Sequence, residues 1–306
     1  MKKLTMAIIC LLIVVATAVG CGKPSGPTGN AGGKVYLITM DQMDQHWVTV
    51  DGGAKKAVAE FGGGNVEYHW LAPDEKNDAK QIECINNAVA AGANVILLAA
   101  NGPDAVTSAL KEAEDAGVKI IYVDSAADFP AIQTLATDNR AAGATAGEEM
   151  LKELTDKGVT SGKIGIVNVN SSTASVVARE EGFRSVFAGT DFELLETQYG
   201  EGQVAPSKDI AANYITQGCV GIFGTNEGST VGNGNAIKEA GAGVVGVGFD
   251  KSDAIMELVG EGFLLCTMAQ NPDVMGYEGM KTAIKVLNGE TIADKNVDTG
   301  VSVLKK

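Results

Sequence analysis

The feature that most constrains the fold of this chain is the repeated alternation of short apolar runs with longer amphipathic segments. From Lys34 onward, nine apolar runs are each followed by a segment with helical periodicity. Runs such as "VILLA", "KIIYV" and "KIGIV" lack the period-two alternation of half-exposed strands, which is typical of strands covered on both faces. The alternation therefore predicts an α/β protein with parallel β-sheets and helices packed on both faces of each sheet.

The same pattern gives bounds for the predicted elements. The predicted strands are 35–39, 66–71, 95–99, 119–123, 163–168, 192–198, 220–224, 244–249 and 263–268. The predicted helices are 48–61, 76–91, 103–116, 140–157, 174–188, 205–217, 229–240, 252–260 and 273–288. A longer connection near 136–139 favours two lobes over one barrel, and a chain of 306 residues is long enough for two domains.

The first residues have the pattern of a bacterial export signal. Lys2 and Lys3 precede an almost wholly apolar stretch at 4–19, which ends in "TAVGC". This ending resembles the lipobox of bacterial lipoproteins, which implies cleavage of a signal peptide, residues 1–20, and a lipid on the thiol of Cys21. The alternative is an ordinary secretory signal followed by a chance cysteine. Residues 21–33, rich in Gly, Pro and Ser, are predicted to be a flexible tether.

Charge and cysteine spacing exclude several classes of function. The formal net charge of −14 argues against a nucleic-acid partner, because phosphate binding needs a basic face. Cys84, Cys219 and Cys266 lie in apolar stretches without CxxC spacing or a neighbouring His. We expect buried free thiols at these three positions, and neither a metal nor a cofactor.

Polar residues follow the predicted strands, where a ligand binds in open parallel sheets. Most of them are Asp, Asn or Gln, the first strand adds His and Trp, and the set contains no Lys or Arg. The set comprises 41–47, Asn101, Asp124 with Ser125, 168–172, Asn226 with Glu227, Asp250, and Gln270 with Asn271. Carboxylates and amides pair with hydroxyls, and an aromatic face covers the C–H side of a sugar ring. These strand ends therefore predict a neutral polyhydroxylated ligand and disfavour phosphates or carboxylates.

Motifs of enzymes are absent or misplaced. The "GAGVVG" segment at 241–246 matches a dinucleotide-binding pattern formally, but it leads into a strand instead of into a helix. The sequence contains neither a Walker A lysine motif nor a GxSxG elbow. We therefore do not expect an enzyme. A carbohydrate-active enzyme that uses Asp124 and Asp250 as paired carboxylates stays open as an alternative.

The order of several segments along the chain resembles the ribose-binding group of periplasmic sugar-binding proteins. These segments include "DGGAKKAVAEFG", "AGVKIIYVDS", "ATDNRAAGATAGEEM", "FGTNEGSTVGNGNAIKEAG", "VVGVGFDKSD" and "TMAQNPDVMGYEGMK". The resemblance covers essentially the whole chain after the signal peptide. It implies the two-lobed fold of type I periplasmic binding proteins, with three hinge crossings. Its lobes would be 34–137 with 271–297, and 138–270 with 298–306.

The resemblance also implies site residues. Its ligand contacts fall on Trp47, Asp124, Asn226, Asp250 and Gln270, and Phe249 would form a second apolar wall. Asp44 and His46 stand where the family has an Asn and an aromatic residue, so both are candidates for contacts with the ligand.

Two arginine positions of the ribose receptors differ in this chain. Ser125 and Val177 stand at these positions. Arg179 matches a separate family arginine, which is expected to support the second lobe. Losing both cationic forks removes several hydrogen bonds to a pyranose, which argues for a sugar other than ribose.

Function and location follow from the same resemblance as expectations. The chain would be an exported lipoprotein on the outer face of a bacterial cytoplasmic membrane, which it would contact only through its lipid. It would capture a small neutral sugar and deliver it to the permease of an ABC importer, with a chemoreceptor as a further candidate partner. Receptors for autoinducer-2, a furanose-like signal, share the fold and lack the same arginines, so this signal is the leading specific alternative. An amino-acid or nucleoside receptor also stays open, whereas a repressor of this fold would need a helix-turn-helix that residues 1–33 do not provide.

Overall fold

The computed structural model describes residues 32–241 and 243–306 of the chain. The predicted signal peptide, Cys21 and most of the predicted tether lie outside the described residues. Within these two ranges, no helix is both long and apolar enough to span a membrane.

The described residues form strands and helices that alternate along most of the chain. The strands are β1 Gly33–Ile38, β2 Val66–Leu71, β3 Val95–Leu98, β4 Lys119–Val123, β5 Thr134–Ala136, β6 Ser161–Asn168, β7 Asp191–Leu194, β8 Gln198–Tyr199, β9 Cys219–Gly224, β10 Val245–Phe249, β11 Cys266–Gln270, β12 Asn296–Asp298 and β13 Val301–Lys305. The helices are α1 Gln45–Phe61, α2 Asp78–Ala90, α3 Thr107–Asp115, α4 Asn139–Asp156, α5 Ala174–Val186, α6 Val204–Thr216, α7 Glu227–Ala240, α8 Asp253–Glu261 and α9 Pro272–Leu287.

The strands form two separate sheets, each with helices on both faces. The first sheet has the order β12-β5-β4-β3-β1-β2 and is parallel throughout. The second has the order β13-β11-β10-β9-β6-β7, with β8 also paired to β6. We call the first sheet with α1, α2, α3 and α9 lobe 1, and the second sheet with the other helices lobe 2. The predicted two-lobed α/β fold is thus confirmed.

Some predicted strands differ from those observed. The predicted strand 192–198 divides into β7 and β8, because Arg184 and Tyr214 bond to the backbone carbonyls of Leu195 and Glu196 between them. β11 begins three residues later than predicted. The backbone amides of Phe263 and Leu264 both donate to the carbonyl of Leu258, so these residues terminate α8 instead of starting the strand. The short strands β5, β12 and β13 were not predicted, and β13 runs antiparallel to β11.

Each lobe has a helix pair that packs backbone against backbone through glycines. In lobe 1, a Cβ atom on Gly276 of α9 would lie 1.9 Å from the carbonyl oxygen of Val50 in α1. In lobe 2, a Cβ on Gly143 of α4 would lie 2.0 Å from the carbonyl oxygen of Arg179 in α5. Only glycine permits these approaches, and the second one positions the helix that carries Arg179.

The three free cysteines of the described residues differ in burial. Cys219 and Cys266 are buried, as predicted, whereas Cys84 is only partly buried. Burial raises the pKa of the Cys219 thiol to about 11, which disfavours the reactive thiolate.

Three crossings join the lobes, as the resemblance implies, and they are hydrogen-bonded to one another. The Thr137 hydroxyl donates to the Gln270 side-chain oxygen at 3.0 Å. The Asn271 amide donates to the carbonyl of Thr299 at 2.8 Å, and the backbone amide of Thr299 donates to the carbonyl of Ala136 at 2.9 Å. The crossings therefore form one bonded hinge rather than three independent linkers.

Candidate functional site

A small cavity lies between the two lobes, where the carboxyl ends of the strands of both sheets meet. Its free volume is about 20 Å³, enough for roughly one water molecule. The lining residues are Met40, Asp44, His46, Trp47, Lys76, Asp124, Val169, Thr173, Ser175, Val176, Arg179, Asn226, Asp250 and Gln270. The structure thus brings together seven of the nine predicted ligand-binding residues, while Ser125 and Phe249 do not line the cavity.

An open cleft adjoins this cavity on the side of the hinge. It has a volume of about 550 Å³, and His46, Asp250 and Gln270 line both spaces. These three side chains therefore stand between the cavity and the cleft. A monosaccharide exceeds the free volume of the cavity, so it enters only if the lobes or these side chains move apart.

Asp124 and Asp250 occupy corresponding places in the two lobes and share an unusual backbone. Asp124 directly follows β4 and Asp250 directly follows β10. Their φ angles are 67° and 75°, in the left-handed region that side chains rarely adopt. Neighbouring strands hold both: the Asp124 amide bonds to the Leu135 carbonyl, and the Asp250 amide to the Met268 carbonyl. Such enforced strain marks functional sites, and here it turns both carboxylates toward one cavity.

His46 lies between these two aspartates. Its Nε2 atom is 3.6 Å from Asp124 Oδ1, and its Nδ1 atom is 3.5 Å from Asp250 Oδ1. Its ring meets the Trp47 ring edge-on, with centroids 4.6 Å apart. Both rings come from the first turn of α1 and are buried. The first turn of one helix therefore contributes an aromatic wall and a link between the aspartates of both lobes.

The predicted absence of cations from the site is wrong, and Lys76 is the first reason. Lys76 comes from the β2–α2 connection, is buried, and binds the carboxylates of Asp41 and Asp44, the latter at 2.7 Å. Burial alone would lower the pKa of Lys76, but the two carboxylates outweigh it and raise that pKa. The Asp44 oxygen predicted to bind a hydroxyl is thus partly occupied by an internal ion pair.

Arg179 is the second cation of the cavity, rather than only a support for lobe 2 as predicted. Its Nε donates to Asn139 Oδ1 at 2.8 Å and its Nη1 to the Thr225 carbonyl at 2.9 Å. Its Nη2 lies 3.7 Å from Asp124 Oδ1 in the other lobe. The guanidinium stacks over the ring of Phe249 at 4.3 Å. Phe249 was predicted to form a wall of the cavity, but in this structure it lies beneath Arg179 and supports its guanidinium.

Asn226 and Gln270 are held in place by bonds within the protein. Asn226 is the N-cap of α7, where its side-chain oxygen accepts from the Ser229 amide at 3.1 Å. Gln270 donates to Asp250 Oδ1 at 2.6 Å while its oxygen accepts from Thr137 of the hinge. Each amide is thus oriented before any ligand contact.

Five buried polar atoms of the cavity residues have no hydrogen-bond partner. They are His46 Nε2, Trp47 Nε1, Asp124 Oδ1, Arg179 Nη2 and Asn226 Nδ2. A buried polar atom without a partner is costly, by about 1–3 kcal/mol each. The set combines nitrogen donors with a carboxylate acceptor, which is the combination that hydroxyl groups satisfy, because a hydroxyl both donates and accepts.

The electrostatics of the cavity are dominated by buried carboxylates. Burial raises the pKa of Asp124, although His46 and Arg179 act in the opposite direction. Burial also raises the pKa of Asp44, with Lys76 opposing it. Glu227, beside the cavity in lobe 2, has a pKa raised to about 7 by burial and by Asp44 and Asp250. An excess of carboxylates over cations disfavours anionic ligands.

Comparisons with known proteins agree with this architecture. Residues 35–291 match the family model of the periplasmic binding protein domain. A ribose import binding protein of Haemophilus influenzae is 28% identical, over 96% of this chain and 97% of its own length. An ABC transporter solute-binding protein from Agrobacterium vitis, solved with bound D-fucose, is 30% identical with a TM-score of 0.84, covering 90% of this chain and 96% of the other.

A second solved structure is equally similar in fold. It is a carbohydrate transporter solute-binding protein from Agrobacterium radiobacter, in complex with D-arabinose. It has a TM-score of 0.85 and 28% identity, and the match covers 91% of this chain and 96% of that one. Because the family model and the full-length matches coincide, this chain belongs to the periplasmic binding protein family, in its ribose-type sugar-binding group.

Proposed function

We propose that this protein is an exported receptor that captures one small neutral sugar between its lobes and delivers it to the permease of an ABC importer. The observation that carries the proposal is the set of five unpartnered polar atoms around the cavity. Three of them belong to lobe 1 and two, those of Arg179 and Asn226, to lobe 2. A sugar that bonds to both groups would hold the lobes together, so binding and closure are one free-energy change.

The charge of the cavity supports a neutral ligand. Lys76 is bound by two carboxylates, and the charge of Arg179 is offset by Asp124 at 3.7 Å. A phosphate or carboxylate on the ligand would face Asp44, Asp124 and Asp250 without a free cation to bind it. Relatives of known ligand carry D-fucose or D-arabinose, both neutral monosaccharides, which agrees with this reading.

The proposed ligand is a pentose or hexose other than ribose. Ser125 and Val177 replace the two arginines of the ribose receptors. Arg179 and Lys76 bring positive charge to the cavity from other positions. The hydrogen-bond donors would therefore approach a sugar ring from directions that differ from those of the two arginines in the ribose receptors. Autoinducer-2 is the second candidate, because its receptors lack the same arginines.

No covalent step is needed for this function. His46 stands between Asp124 and Asp250 at 3.5–3.6 Å from each, an arrangement suited to bonding a sugar from two sides. The similar proteins of known role are transport proteins. We therefore favour a receptor over a glycoside-cleaving enzyme built on the two aspartates.

We also propose the lobe boundaries and the cellular location that the sequence predicts. The lobes would be 34–137 with 271–297, and 138–270 with 298–306. A lipid on Cys21 would anchor the protein to the outer face of the cytoplasmic membrane, and residues 21–33 would be the tether. A chemoreceptor that reads the closed form is a further proposed partner.

A thermal-shift panel tests the proposal. The protein would be melted with neutral pentoses, hexoses, autoinducer-2 and amino acids, and with ribose 5-phosphate as the charged control. A ligand at a hundred times its Kd adds about 2.7 kcal/mol, which raises the Tm by several degrees. We expect a shift with one or a few neutral sugars and none with the phosphate. A Tm shift with amino acids alone would contradict the proposed function, and so would the absence of a shift with every compound.

A further inference from the structure

Glu227 makes a hydrogen-bonded contact across the cleft that no sugar contact explains. It is the first residue of α7 in lobe 2. Its two carboxylate oxygens accept from the backbone amides of Gln45 and His46, each at 3.2 Å. These amides belong to the first turn of α1 in lobe 1. The side chain therefore spans the two lobes directly.

Helix α1 lacks a cap from its own chain neighbours. Its N-cap residue, Asp44, makes no side-chain cap hydrogen bond, because its carboxylate is bound to Lys76. The N-cap side chain does cap α2, α4, α7 and α8, whereas α3, α5, α6 and α9 resemble α1 in lacking this bond. The first amides of a helix have no acceptor within the helix, and the helix dipole favours a carboxylate as their partner. In the closed arrangement, Glu227 of the other lobe provides it.

We infer that Glu227 is a positioning residue that latches lobe 2 onto the first turn of α1 and so holds His46 and Trp47 against a bound sugar. The identity of the ligand rests on the proposed function, whereas the latch between the lobes does not. Because the cap exists only when the lobes are together, it stabilises the closed form relative to the open form.

The surroundings of Glu227 make this latch sensitive to pH. It faces Asp44 and His46 of lobe 1 and Asp250 of lobe 2. It also lines a second groove between the lobes, whose other charged residues are Asp41, Asp74, Glu75, Lys76 and Glu201. Burial, then Asp44 and Asp250, raise its pKa to about 7, against the effect of the two amides.

The direction of the pH effect follows from this shift. When the lobes open, the carboxyl enters water and its pKa falls toward the ordinary value. The closed form therefore binds a proton that the open form releases. Closure is favoured at pH values below the open-state pKa, and this advantage is lost as the pH rises through about 7.

The first test compares Glu227→Ala with Glu239→Ala, which removes an exposed carboxylate at the other end of the same helix. Isothermal titration with the sugar found in the panel should give about tenfold weaker binding for Glu227→Ala, the value of one lost cap, and an unchanged Kd for Glu239→Ala. Small-angle scattering with saturating sugar should still show closure for both. Equal affinity of Glu227→Ala and the unaltered protein would overturn the latch.

The second test uses Glu227→Gln, which keeps one of the two accepting oxygens but cannot ionise. Between pH 5 and pH 8, we expect the affinity of the unaltered protein to fall about tenfold more than that of Glu227→Gln. The comparison is needed because Asp44 and Asp124 also have raised pKa values and contribute their own pH dependence. Parallel pH profiles would contradict the assignment to Glu227.

Scattering without sugar separates failure of the latch from failure of the proposed function. If the unaltered protein binds no sugar, the proposed function fails. The latch is then judged from the radius of gyration of the unliganded protein, which should be smaller at pH 5 than at pH 8. Glu227→Ala should reduce that difference, because only the contributions of Asp44 and Asp124 remain. An identical response of both proteins would overturn the latch independently of any ligand.

Discussion

The two lobes place the same residue in the same strained position, yet treat it differently. Asp124 of lobe 1 and Asp250 of lobe 2 each have a positive φ angle, and each directly follows a strand of the sheet in its lobe. Asp250 Oδ1 accepts a hydrogen bond from Gln270 at 2.6 Å, whereas Asp124 Oδ1 has no hydrogen-bond partner. The Asp250 carboxylate is thus oriented by a hydrogen bond within lobe 2. The Asp124 carboxylate has no such bond within lobe 1, and its nearby groups include Arg179 of the other lobe.

The cations of the two lobes differ in the same way. Lys76 of lobe 1 is neutralised within its own lobe by Asp41 and Asp44. Arg179 of lobe 2 is held from behind by neutral groups, and the nearest carboxylate, Asp124, belongs to the other lobe. The cation of lobe 1 therefore stabilises its own lobe through ion pairs, whereas the cation of lobe 2 faces a carboxylate of the other lobe.

The largest expected effect comes from Lys76→Met, which should break the internal neutrality of lobe 1. Removing it leaves two buried carboxylates without a cation, and we expect the free energy of unfolding to fall by about 3 kcal/mol. Denaturant titration measures this. Lys80→Met is the matched control, because Lys80 is exposed and should change stability by less than about 0.5 kcal/mol.

The same variant predicts a pH dependence. Asp41 has a pKa held below its ordinary value of 3.8 by Lys76 and by the amides of Met43 and Asp44, in spite of burial. A lowered pKa stabilises the fold above the ordinary value and loses that contribution as the pH falls through the lowered one. The stability gap between the unaltered protein and Lys76→Met should therefore narrow below about pH 4. A constant gap would contradict the ion-pair account.

A comparison of Asp124→Asn with Asp250→Asn sharpens the contrast between the lobes. Asp124→Asn should weaken sugar binding by about 2 kcal/mol, roughly 30-fold in Kd, because it removes the charge that faces Arg179 and His46. Asp250→Asn should also disturb the hinge through Gln270. Stopped-flow binding would then show an altered closing rate for Asp250→Asn and not for Asp124→Asn. Equal rates would remove the proposed difference.

Trp47→Phe should have a smaller effect, confined to the ligand. The change removes an unpartnered N–H but keeps an apolar ring, so we expect affinity to fall by about 1 kcal/mol with little change in Tm. Trp70→Phe provides the control, because the Trp70 N–H already donates to Thr39. That variant should lower stability and leave the Kd unchanged. The reverse pattern would show that Trp47 only packs.

Ser125→Ala should have the smallest effect. Ser125 follows Asp124 but does not line the cavity. We expect the Kd to change by less than about 0.5 kcal/mol, as measured by calorimetry. A larger loss would restore Ser125 to the ligand-binding set predicted from the sequence.

The sequence was sufficient for most of the fold. Each predicted helix agrees with the observed one to within four residues at either end, because the strands and helices of a parallel sheet carry strong periodic patterns. β5 and β12 were missed, since three residues are too few to show a period. The first two amides of α1 bond to Glu227, which is distant in sequence, so this contact could not be read from the local pattern.

The site was predictable where it follows strands and not elsewhere. Asp124, Asp250 and Gln270 were found because the ends of parallel strands share one edge of a sheet. Lys76 lies in the connection before α2, and nothing in the sequence distinguishes it from Lys80 of α2. Arg179 lies within a helix. Their place in the cavity depends on tertiary packing, such as the contact of Gly143 with α5.

Gln270 has a consequence for any attempt to redesign this receptor. Its amide lines the cavity, bonds to Asp250 and bonds to Thr137 of the hinge. We therefore expect this one side chain to influence both which sugars are accepted and how quickly the protein responds to them. A biosensor library aimed at a new sugar should keep Gln270 constant and vary His46 and Asn226, so that selectivity can change while response time is preserved.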